Sequence, residues 1–196
     1  MINPALRGFV LAVASAIAAA GWVQSPASTQ EQPETFTALA VNMGNIGPTQ
    51  PVVVDIAIRR WMSEEERGQL ITTLIEKGSE AFLEALQKTK PVGTIRTPDS
   101  IGYDLRYAQE SPDPAGGRRI VIITDRPISF WEARSQPRTI DYRFTTIELR
   151  MKPGGRGEGK LSIATKVTPV GKTIYLEDYA TQPVTLQNVR SRKTEG

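Results

Sequence analysis

The 196-residue chain contains no cysteine and no histidine. Together these absences remove a serine–histidine–aspartate triad, a cysteine nucleophile, a thiol redox pair, histidine-held haem and the usual zinc sites. What remains is chemistry carried by carboxylate, lysine, tyrosine or serine–lysine, or hard-cation binding by oxygen. The acids are not clustered at the loop spacings that hold calcium, so no metal and no cofactor is expected. Without cysteine there is no disulfide, nor the acylated cysteine of a bacterial lipoprotein, and the domain must rely on its core alone. Charge of one sign is also scarce. Losing Arg7 from 24 cations leaves 23 against 21 acids, so a pI of 9.3 reflects a net charge of only +2. No basic run or basic helix is present, which argues against a nucleic-acid partner.

One long apolar run exists, Phe9–Ala20, after the single cation Arg7 and with small residues at Ala18 and Ala20. It is short and alanine-rich for a span of ~30 Å of hydrocarbon. Residues 1–20 therefore read as an export signal cut near Gly21. The expectation is a periplasmic or secreted protein, not membrane-anchored after cleavage. Residues 21–34, rich in Ser, Gln, Pro and Glu, read as a flexible leader. Residues 35–190 read as a single domain and 191–196 as a polar tail.

Within the domain, Phe36–Val41 and Val52–Ile58 have strand character. Ser63 and Glu66 form a capping-box pattern, followed by Leu70, Ile71, Leu74 and Ile75 on one helical face. Gly78 ends that helix and Ser79 caps a second, which carries Phe82, Leu83 and Leu86. Strands follow at Val92–Arg96, Tyr103–Gln109 and Ile120–Thr124, with a turn at Pro112–Gly117. Ile120–Ile123 is apolar on both pleat faces, so it needs cover on both sides and reads as the central strand. Thr139–Met151 changes phase, which predicts a bulge near Thr145 and Thr146. Lys160–Val167 alternates cleanly, and Thr173–Asp178 and Val184–Val189 complete about nine strands. The fold class is α+β: a strongly curled antiparallel sheet, a half-open barrel or sandwich, with a pair of short helices inserted after the second strand. A closed ligand-holding barrel is the nearest competitor.

Gly154, Gly159 and Lys160 have phosphate-loop spacing, but Leu161 replaces the metal-binding hydroxyl and a strand follows, so the stretch reads as a glycine-rich hairpin turn. The candidate ligand-binding residues are Asp125, Arg126, Phe130, Trp131 and Glu132, just beyond the end of the doubly apolar strand. There a carboxylate, an arginine and an aromatic wall could face a cleft, or pair off and seal the core. Arg106, Arg118, Arg119, Arg143 and Arg150 could form an anion patch, or pair across strands with Asp104, Asp141 and Glu148. No catalytic residue is assigned.

At Arg119–Ala133, with Gly102-Tyr103-Asp104-Leu105-Arg106-Tyr107 and Tyr179-Ala180-Thr181-Gln182-Pro183-Val184, the chain resembles a group of exported bacterial proteins of uncharacterised function. The resemblance covers everything after the leader. It implies export and a shared fold, and carries no residue roles. The expected function is a non-catalytic module binding a small apolar or amphipathic ligand, or an envelope protein, at a helix–sheet cleft. The alternatives are a carboxylate-dependent hydrolase of envelope glycans using Asp125, Glu132 or Asp141, and an envelope assembly factor binding through an exposed strand edge.

Overall fold

The computed structural model describes residues 32–41, 50–125, 128, 144–163, 166–171, 173–177 and 184–193. Alternating β-branched and aromatic stretches form strands β1 (Glu34–Val41), β2 (Val52–Ile58), β3 (Gly93–Arg96), β4 (Tyr103–Leu105), β5 (Tyr107–Pro112) and β6 (Arg118–Thr124). They continue as β7 (Thr145–Met151), β8 (Arg156–Ile163), β9 (Lys166–Val170), β10 (Thr173–Glu177) and β11 (Val184–Lys193), with helix α1 (Glu64–Lys88) between β2 and β3. Nine strands form one antiparallel sheet in the order β4-β3-β2-β1-β11-β8-β7-β6-β5, and β9 and β10 form a separate hairpin. The two edge strands, β4 and β5, are consecutive stretches of chain separated only by Arg106. The Arg106 N–H donates to the Ile123 carbonyl at 2.9 Å, so one edge folds back toward the other and the sheet curls nearly to closure.

The register fixes which side chains point inward. Phe36, Ile56 and Ile95 share a face through β1, β2 and β3, while Ile120, Leu149 and Gly159 share one through β6, β7 and β8. These positions, with Ile58, Leu105, Ile122, Ile147, Leu161, Leu186 and Val189, are almost fully buried and fill the interior with packed hydrocarbon. Close approach there requires glycine. A Cβ on Gly159 would lie 2.5 Å from the Glu148 carbonyl oxygen and 2.6 Å from Leu149 Cδ2. At Asn188, φ is 53° and the β11 registers with β1 and β8 both shift. This bulge keeps Leu186 and Val189 on the same inner face despite their odd spacing.

Both faces of Ile120–Ile123 are buried, as the apolar run requires. The inner face meets the barrel interior. On the outer side α1 packs against β5 and β9, and Phe82 meets Phe144 with ring centroids 5.4 Å apart. The capping box forms: Ser63 Oγ accepts from the Glu66 N–H (3.1 Å) and Glu66 Oε2 accepts from the Ser63 N–H (3.0 Å). Leu70, Ile71, Leu74, Phe82, Leu83 and Leu86 are buried, while Ile75, expected on the same face, is 60% exposed.

The structure corrects several expectations. Where a pair of short helices is expected, residues 64–88 count as one helical element, whose two halves meet at Gly78, non-helical at φ 80° and ψ −176°. Each half buries an apolar stripe, Leu70, Ile71 and Leu74 before the kink and Phe82, Leu83 and Leu86 after it. The doubly buried β6 lies next to the sheet's last strand, and the middle is held by β1 and β11, the first and last strands of the chain. Lys160–Val167 is not one strand: β8 ends at Ile163 and Val167 belongs to the β9–β10 hairpin. Its alternation spans a change of sheet, which periodicity cannot detect. The strand expected to stop at Val189 continues to Lys193 because β1 and β11 pair as far as Glu34 opposite Lys193, so residues 191–193 are strand, not tail. The bulge expected near Thr145 and Thr146 is not there, since both pair in continuous register with β6 and β8; the earlier part of Thr139–Met151, up to residue 143, lies outside the described residues. No described helix is long and apolar enough to cross a membrane.

Candidate functional site

Of the five candidate ligand-binding residues only Asp125 belongs to the described residues; Arg126, Phe130, Trp131 and Glu132 lie outside them, as do Arg143 and Asp141. Asp125 follows β6 at the seam where the sheet's edges meet. Its side chain is 4% exposed, and Oδ1 lies 3.6 Å from Arg106 Nε without a hydrogen bond. Arg106 reaches three ways: Nη1 donates to the Thr89 carbonyl (2.8 Å), and the guanidinium lies 3.6 Å from Asp104 and from Asp125. One arginine thus ties the end of α1, strand β4 and the end of β6 together.

The other described arginines singled out by sequence, Arg118, Arg119 and Arg150, are also paired. Arg118 shares its inward face with Ile120 and Ile122, so it enters the barrel and bridges opposite walls. Its Nη1 donates to Glu34 Oε2 on β1 (2.8 Å) and to Glu110 Oε2 on β5 (2.7 Å), with a second bond from Nη2 to Glu34. The guanidinium sits 5.8 Å from the Phe36 ring centroid. Burial alone would make Arg118 easier to deprotonate, but hydrogen bonds and charge from Glu34 and Glu110 raise its pKa further above the usual arginine range. Glu34, 1% exposed, was not legible as an interior residue; its alternation with Phe36 and Ala38 was the available signal.

On the outer wall, Arg119 and Arg150 both grip Glu148 (3.0 and 3.1 Å). Burial pushes the Glu148 carboxyl up, yet the Arg119 and Arg150 contacts outweigh it and hold the group below the usual carboxylate range. Beside this cluster runs a groove of about 380 Å³ lined by Glu148, Arg150, Glu158, Gly159, Lys160 and Thr185. The cross-strand pairs Glu148–Lys160 and Arg150–Glu158 set opposite charges side by side on an open sheet face, with Thr185 opposite Lys160. Such a lining suits a polar, charged surface more than a hydrocarbon. Lys160 belongs to the false phosphate-loop spacing. The turn preceding it closes through Lys152 and Gly155 as a β7–β8 hairpin.

Among the described residues no group of acids is placed to hold a metal ion. Comparison of the chain with family models, with curated proteins and with solved structures gave no match.

Proposed function

We propose that the protein is an exported, non-catalytic binding module that engages an envelope protein through the outer wall of β7, β8 and β11. The observation that carries this reading is the charged groove beside Glu148, Glu158 and Lys160. Two further features support it. The barrel interior and the α1 contact are filled by packed side chains among the described residues, which leaves a small apolar ligand less to occupy than an open barrel would. Asp125, the described member of the carboxylate set considered for hydrolysis, is buried beside Arg106, a structural setting rather than one with room for substrate. An apolar or amphipathic ligand at the helix–sheet cleft and a glycan hydrolase are the readings this one competes with.

In this reading residues 1–20 direct export and are removed, and the mature chain works in the periplasm or outside the cell. The test is a photo-crosslinking amino acid placed at Lys160 and, as control, at the exposed Lys77 of α1, in cells producing the full chain. A discrete protein adduct from position 160, absent from position 77 and lost on charge reversal of Glu158 and Lys160, is expected. No adduct at 160, or the same adducts at both positions, refutes it.

A further inference from the structure

The described arginines of the expected anion patch, Arg106, Arg118, Arg119 and Arg150, are paired with acids; a different set is not. Arg156 on β8 stands directly opposite Arg190 on β11, and Arg192 follows two residues later. Arg190 pairs with Thr37 and Arg192 with Thr35 of β1, so the opposing residues on that side are threonines rather than acids. The inward neighbours are Phe36, Gly157 and Val189, which places all three arginines on the outer face. All three are exposed, and none has an ion-pair partner among the described residues. Like charges directly opposite across a ladder destabilise a sheet, and no ion pair among the described residues offsets that at Arg156 and Arg190. The nearest acids on the same wall are Glu158, two residues from Arg156, and Asp55. Asp55 accepts from Thr37 Oγ1 (3.0 Å) and lies 3.9 Å from Arg96.

The position of the patch says what would cover it. The Ser191 N–H donates to the Gly155 carbonyl at 2.8 Å, which brings the β7–β8 turn, with exposed Lys152, against the end of β11. Glu34 opposes Lys193, so the chain preceding β1 joins the barrel at this same corner. That chain carries the apolar run 9–20. In the unprocessed chain thirteen residues, 21–33, separate that run from β1, so a bilayer holding the run lies within reach of this corner. Guanidinium forks on a smooth sheet wall match phosphate oxygens, and an anionic leaflet supplies many of them at once.

We infer that Arg156, Arg190 and Arg192 form a docking surface for anionic phospholipid headgroups. The three arginines lie on the same outer wall as the charged groove, further along β8 and β11, and do not line it.

Co-sedimentation of the full chain with phosphatidylglycerol–phosphatidylcholine vesicles, against pure phosphatidylcholine vesicles, tests it. Because the apolar run is present in every variant and contributes equally, the difference between the two vesicles isolates the charge effect. Attraction of about 1 kcal/mol per basic side chain corresponds to about fivefold in partitioning, so R156Q/R190Q/R192Q should lose about a hundredfold of the preference for anionic vesicles. The charge-matched control K77Q/K88Q/K90Q, at exposed sites on and just after α1, should retain it. Unfolding midpoints check that both variants fold. Equal losses in the two variants would reduce the effect to net charge and overturn the proposal. So would a parent chain with no preference for anionic vesicles, including one that binds dextran sulfate instead.

Discussion

Replacing Arg118 by methionine strips two carboxylates of their partner in the barrel interior. Glu34 is 1% exposed and Glu110 27%, while Arg118 itself is 19% exposed. Removing one member of a buried ion pair typically costs about 3–5 kcal/mol, because the charge left behind has neither water nor a counter-ion. Glu34 accounts for most of that here, since Glu110 can still be hydrated. The Phe36 contact adds about 0.5–1 kcal/mol. At about 2–4 °C per kcal/mol for a chain of this size, R118M should melt about 10 °C below the parent. Adding E34Q removes the stranded charge, so the double variant should recover most of the loss, as apolar or neutral replacements of whole buried pairs do. Urea unfolding followed by circular dichroism measures both. If R118M costs less than about 1 kcal/mol, or E34Q fails to rescue it, the cross-barrel bridge is not buried as described.

Other outcomes follow from the same structure. Gly159→Ala drives a Cβ into the Glu148 carbonyl and Leu149 and should cost about 1–3 kcal/mol by urea unfolding. Gly154→Ala meets nothing, and only its φ of 92° is penalised, at about 1 kcal/mol. Equal costs would mean that β7 and β8 do not approach so closely. Phe82→Ala removes the ring tilted against Phe144 and should cost about 3–5 kcal/mol in the same assay. The folded-state pKa of Glu148 is depressed below 4.5, so its contribution is present above the unfolded pKa and is lost as pH falls through the lower folded value. Stability measured by urea titration should therefore decline below about pH 4.5, and more shallowly in Glu148→Gln. An identical acid limb in both proteins contradicts the assignment.

Much of the architecture is readable from side chains alone, and the failures have physical causes. Ile120–Ile123 announces double burial because no solvated strand face tolerates so many branched apolar residues, and both faces are buried. The capping box at Ser63 and Glu66 is a local pattern and forms as written. Gly78 marks a break in backbone geometry, and the helical halves on either side of it meet there at a kink. Local pattern could not reveal register. The unpaired state of Arg156 and Arg190 depends on the β8–β11 pairing beyond the Asn188 bulge, which no alternation reports. Arg118 reads as a solvated charge by residue type, although its parity with Ile120 and Ile122 puts it inside. Asp125 was rightly placed at the strand end, and its partner Arg106 was legible only as one of several arginines.

The sheet curls so tightly that β1 and β6 face each other across a filled interior. Nuclear Overhauser contacts between the Phe36 ring and the Arg118 side chain test it most directly. The structure predicts them, together with β1–β11 amide contacts at Thr37 and Arg190. An open sheet would keep the β1–β11 contacts and show none between Phe36 and Arg118, and that result would contradict the account.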